Sequence, residues 1–223
     1  MEFAMKQTPE LSQHWTRVGG VCGVLSVVSY LAAAFAPLPD LLSYIAAFAF
    51  GPLLAIGVTG LYYCLALERR GPMIQIATIF GIAGGITVLI MLTTQQAIFS
   101  VIKRSSTSAG SELTQFKEGL NAVQLGLDVA WDVLICVAVM LFGIAMLRHP
   151  RFGRVFGSIG IISGLLALSF NLWYFPTPPA AANSIDWGPL VALWLLVTFV
   201  MLLRSAKWAG ERSQDRAQVV VDA

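Results

Sequence analysis

Gln124-Leu-Gly-Leu-Asp-Val-Ala-Trp-Asp-Val-Leu-Ile-Cys-Val-Ala-Val-Met-Leu-Phe-Gly-Ile-Ala-Met-Leu147 is the stretch that decides the fold. A helix needs about 20 apolar residues to cross the hydrocarbon core of a bilayer. This segment is long enough, holds no proline, and carries charge only at Asp128 and Asp132. Five further runs, over 18–36, 42–67, 73–102, 152–175 and 188–203, are comparably apolar. The sequence therefore predicts an all-α, polytopic membrane helix bundle with six transmembrane helices. A segment over 1–17 precedes the membrane domain of 18–204, and a tail over 205–223 is expected to be disordered. Ala32-Ala33-Ala34 has the look of a signal-peptide cleavage region, but the run is too long for one and reads as a retained helix. The third run is the longest and should tilt or protrude.

Composition agrees. Of 223 residues, 57% are hydrophobic and 12% are charged, about half the charged fraction of a soluble domain. The mean hydropathy is +0.76. This excludes a disordered chain and an ordinary cytosolic enzyme. The 14 basic and 12 acidic residues nearly cancel, so no nucleic-acid partner is expected.

The near-zero net charge conceals a strong sidedness. Lys6, Arg17, Arg69, Arg70, Arg148, Arg151, Arg154, Arg204, Lys207, Arg212 and Arg216 fall on one side of the six spans; only Lys103, Arg104 and Lys117 fall on the other. Eleven against three predicts cytoplasmic termini, with 37–41, 103–123 and 176–187 as outer loops. The expected location is a bacterial inner membrane, with membrane lipids as surroundings.

Cys22, Cys64 and Cys136 are scattered and odd in number, and read as small buried residues rather than a disulfide framework. His14 and His149 both lie outside the apolar runs. A bis-histidine haem, a His-based zinc site and a Ser-His-Asp triad inside the membrane are thereby excluded, and no metal site is expected.

Small residues spaced by four, Gly19/Gly23, Gly81/Gly85, Gly153/Gly157 and Gly160/Gly164, suit close helix packing without requiring a dimer. Pro37, Pro39, Pro176, Pro178 and Pro179 follow outward-going spans, and Pro52 inside the second span should kink it. Phe50-Gly-Pro-Leu-Leu-Ala55 echoes Trp187-Gly-Pro-Leu-Val-Ala192, which a duplicated hairpin or chance in an apolar chain would both produce.

Asp128 and Asp132 are the two charges that packing does not explain. An Asp at the centre of a spanning helix costs about 2.5–3.5 kcal/mol on insertion scales, and such residues are usually functional. Spaced by four, the two share a helix face, about 6 Å apart. Gln124, Asn121 and Lys117 continue that stripe outward, while Leu113, Phe116, Leu120 and Val123 form an apolar face. The helix should start near Ser111, capped there, with Glu112 in its first turn. Other runs place Tyr30, Gln95, Gln96 and Asn171 at similar depth, and Trp173, Tyr174 and Trp187 at the interface. The expectation is an outward-facing polar cavity whose ligand-binding residues are Tyr30, Gln95, Gln96, Asn121, Gln124, Asp128, Asp132 and Asn171. Two ionised carboxylates so close would repel. Either one is protonated, or a cation lies between them, or Lys103, Arg104 or Lys117 folds in. Water from the outer surface, solvating both as a wet helix end, is the plainer account.

Three functions fit. The first is binding or transport of a small cation, proton or amine-bearing ligand. The second is a membrane enzyme acting on a lipid or isoprenoid, with Asp128 and Asp132 as catalytic residues. The third is a non-enzymatic assembly protein. The spacing Gln124-x-x-x-Asp128-x-x-x-Asp132 resembles part of the Asp-rich motif of intramembrane prenyltransferases. That resemblance implies carboxylates holding magnesium on a diphosphate, but that family has more spans, a second Asp-rich motif and a cytoplasm-facing site. An acid-initiated cyclase, in which a protonated Asp donates to an alkene or epoxide, is a related version. No other cofactor is implied. Phe152-Gly-Arg-Val-Phe-Gly157, Asn171-Leu-Trp-Tyr-Phe-Pro176, Trp187-Gly-Pro-Leu190 and the span holding Trp194 together resemble, in general texture, a broad group of uncharacterised bacterial six-span inner-membrane proteins. That resemblance brings neither activity nor functional residues.

Overall fold

A computed structural model of the chain describes residues 9–105, 111–177, 179 and 182–221. Among these residues there are seven helices and no strand: α1 (Pro9–Phe35), α2 (Asp40–Leu65), α3 (Pro72–Ser105), α4 (Ser111–Met146), α5 (Gly153–Tyr174), α6 (Gly188–Arg204) and α7 (Ala206–Val221). The chain is an all-α membrane helix bundle. α1 to α5 are each long and apolar enough to cross a membrane; α6 reaches that length only together with α7, across a 56° bend. Helices are the natural outcome for such runs, because every backbone polar group is then satisfied within the segment.

α1 packs against α2, α6 and α7, and α2 to α5 pack in chain order, each against the next. The core is formed by fully buried Leu54, Leu61, Ile135, Val139, Phe199 and Leu202. Large apolar side chains elsewhere face outward, among them Phe35, Ile79 and Val155 at 64–77% exposure. Their abundance is what a lipid-facing surface requires.

Glycines set the closest approaches. A Cβ on Gly19 would stand 2.5 Å from the Gly60 Cα, so α1 and α2 touch backbone to backbone there. Gly23 receives the Phe199 ring, and Gly160 receives the Trp194 indole, whose Nε1–H donates to the Phe156 carbonyl at 3.1 Å. Gly153 departs from the expected packing role. It has φ +80° and open space around its Cα, so it serves the turn that starts α5.

Two boundaries differ from the sequence reading. α1 begins at Pro9, so residues 9–17 are helical rather than a separate segment. The tail expected to be disordered is helical over Ala206–Val221. Its small residues Ala206, Ala209, Gly210 and Ser213 are buried at spacings of one, three and four against α1, and Arg212 pairs with Glu68 at 2.7 Å. The two Gly-Pro-Leu stretches also hold different positions. Pro52 is inside α2, whereas Pro189 sits in the first turn of α6.

Candidate functional site

α4 carries Asp128 and Asp132 one turn apart, and both line a cavity of about 450 Å³. α1 adds Tyr30, α5 adds Asn171, and the segment before α6 adds Asp186. The cavity lies where α6 makes only sparse contact with α4 and α5. Four of the eight residues expected to bind a ligand, Tyr30, Asp128, Asp132 and Asn171, thus meet at one place.

The other four do not line it. Asn121 and Gln124 lie on the same helix as the acids, but at 1.5 Å of rise per residue they stand about 10 Å and 6 Å further along its axis from Asp128. Asn121 is exposed there. Gln95 and Gln96 are half-buried on α3, which packs on α2 and α4 and contributes no described residue to the lining. Lys103 and Arg104 belong to the last turn of α3, and their side chains lie outside the described residues; so does the side chain of Ser111.

Asp186 was not anticipated. Its Oδ1 accepts the Gly188 N–H at 2.8 Å, an Asx turn that leads the chain into α6. Asp186 is exposed and lines the cavity, with one of its carboxylate oxygens already used. The signal was present in Asp186-Trp-Gly-Pro189, an acidic residue just ahead of a proline-started apolar run.

Aromatic rings form one wall. Tyr30 and Phe50 lie 5.1 Å apart, and Phe50 meets Trp131 edge-on at 6.2 Å. The Trp131 Nε1–H is buried and has no hydrogen-bond partner. The rest of the lining is apolar, and it reaches Leu31, Phe35 and Leu193, which are 39%, 77% and 56% exposed on the outside of the bundle. The cavity therefore carries its carboxyl groups at one place and is apolar toward the lipid-facing surface.

No Lys, Arg or His is among the described residues of the wall. Nor do any three His, Cys, Asp or Glu among the described residues gather closely enough to hold a metal ion. The carboxylates surround a volume rather than a point.

No protein-family model matches the sequence, and searches of curated proteins and of solved structures give no match.

Proposed function

We propose that this protein binds and transports an amine-bearing organic cation with an apolar portion, in the inner membrane of a bacterium. The observation that carries the reading is the cavity shared by Asp128, Asp132 and Asp186, in which no described side chain supplies a positive charge. Two ionised carboxylates about 6 Å apart on one helix face repel by about 3 kcal/mol at an effective dielectric constant of about 20. A cation entering between them converts that repulsion into attraction. The Tyr30, Phe50 and Trp131 rings offer faces to an ammonium group. The exposed rim at Leu31, Phe35 and Leu193 favours an apolar substituent over a bare metal ion or proton.

The test uses sub-micellar dodecyltrimethylammonium as the cation and dodecanoate as the anionic control, with binding to detergent-purified protein followed by native mass spectrometry. Asp128→Asn and Asp132→Asn should each weaken cation binding about tenfold, or 1.4 kcal/mol. Asp186→Asn keeps an oxygen for the Gly188 N–H and removes only the charge, so a similar loss is expected with the fold intact. Equal binding of dodecanoate, or unchanged cation binding in the triple variant, would sink the reading. Recovery of a chemically altered ligand would move it to an enzyme.

A further inference from the structure

The opposite end of the bundle holds a second cavity, of about 490 Å³, between the α2–α3 turn and the end of α4. Its polar lining is Glu68, Arg69, Arg148 and His149; its apolar lining includes Pro72, Met73, Ile74 and Ile144. Charge at this place is more positive than the residue names suggest. Glu68 is already taken by Arg212, whose Nε–H and Nη2–H donate to its two carboxylate oxygens at 2.7 and 3.3 Å. The exposed guanidinium groups of Arg69 and Arg148 are left to act on whatever occupies the cavity.

His149 gives the second, independent indication. Its side chain is only 3% exposed. Nδ1 accepts the Arg151 N–H at 3.2 Å, so the proton of the neutral ring is on Nε2. The Cys64 carbonyl is near enough to favour the charged ring, yet Nε2 has no partner at hydrogen-bonding geometry. A buried donor left unmade costs about 1–3 kcal/mol, and His149 is part of the cavity wall. Gly71, Pro72, Met73 and Ile74 bring the start of α3 to the same wall. The first N–H groups of a long helix have no intrahelical partner and favour an anion.

Arg69, Arg148, His149 and the N-terminus of α3 line one cavity, from which Met73 and Ile144, 40% and 39% exposed, lead to the lipid-facing surface. We propose that this cavity binds the phosphate of an anionic phospholipid, whose acyl chains run along Met73 and Ile144. The positive charge matches the headgroup, and the apolar wall matches the chains. A free phosphate has use only for the first.

Detergent-purified protein is titrated with phosphatidylglycerol or with phosphatidylcholine of the same chains, and retained lipid is followed by native mass spectrometry. Phosphatidylglycerol should be held at about thirtyfold lower concentration. Arg69→Gln and Arg148→Gln should each weaken that binding about fivefold, the share of one basic group near an anionic lipid surface, with phosphatidylcholine unaffected. His149→Gln places an amide donor near the Nε2 position and should retain binding. His149→Asn keeps the acceptor for the Arg151 N–H but lacks that donor, and should lose it. If both histidine variants fail to fold, the exposed arginines still decide. Equal retention of the two lipids, or full retention of phosphatidylglycerol by the double arginine variant, would overturn the proposal. Retention of inorganic phosphate in place of lipid would overturn it too.

Discussion

His149 sits between the rings of Phe152 and Trp208, each 5.2 Å away centroid to centroid. Burial, helped by the nearby Arg151 and opposed by Glu68 and the Cys64 carbonyl, pushes its imidazole down to about 4. In the unfolded chain the ring titrates near 6.5. Between these two values the unfolded state holds the proton and the folded state does not, so stability falls as pH drops through about 6.5 and levels off below about 4. From pH 7.5 to pH 5 the loss from this one group is about 2 kcal/mol. Thermal midpoints in detergent should drop over that range, and His149→Asn should show a smaller drop. An equal drop in both proteins would remove His149 as the cause. At this scale the sequence revealed Asp128 and Asp132, because a charge inside an apolar run is costly and rare. It hid Asp186, because an acid in a turn is ordinary until the fold sets it beside two others. It hid the role of His149 as well, since a polar residue at a span end reads as solvated.

Among the elements, the α1–α2 pair depends most on a single pattern. Gly19 lies against Gly60, and a Cβ on Gly60 would stand 2.5 Å from the Gly19 Cα and 2.6 Å from the Trp15 carbonyl oxygen. Both obstacles are backbone, so no rotamer change relieves them. Gly60→Val should force the helices apart and destabilise the bundle by about 3 kcal/mol, toward the upper end of overpacking costs. The stacking of Trp15 on Tyr63, now 5.3 Å between centroids, should loosen with it. A fall in thermal midpoint with a shifted tryptophan emission is the expected readout, and an unchanged midpoint would show that the contact is softer than its geometry. Five of the apolar runs were legible because each is a continuous transfer signal of about 20 residues or more, whereas the run over 188–203 is shorter and reaches spanning length only together with α7. α7 was not, because the face it buries is made of Ala206, Ala209, Gly210 and Ser213, small residues that carry almost no hydropathy. α7 is held by close fit against α1 and by Glu68, neither of which a periodicity can display.

For the whole molecule, two independent observations bear on orientation. Loop charges place eleven basic residues on one side and three on the other. The fold separately brings the turns that carry most of those basic residues to one end. Arg151 donates from Nε to the Ser205 Oγ at 3.3 Å, His149 meets Trp208, and Arg216 reaches the Glu68 carbonyl at 3.0 Å. The α2–α3, α4–α5 and α6–α7 turns thus form one surface, and the acid-lined cavity lies toward the other end, near Phe35 and Gly188. With the basic surface cytoplasmic, as the positive-inside rule requires, Thr177→Cys should be labelled in intact cells by a membrane-impermeant maleimide, and Gly71→Cys only after permeabilisation. Cys64 and Cys136 are buried and should add little background; the parent chain measures the contribution of Cys22. The reverse labelling pattern would turn the carboxylates toward the cytoplasm and the Arg69–Arg148 cavity toward the outer leaflet. Both ligand assignments would then keep their chemistry but exchange the compartments from which their ligands come.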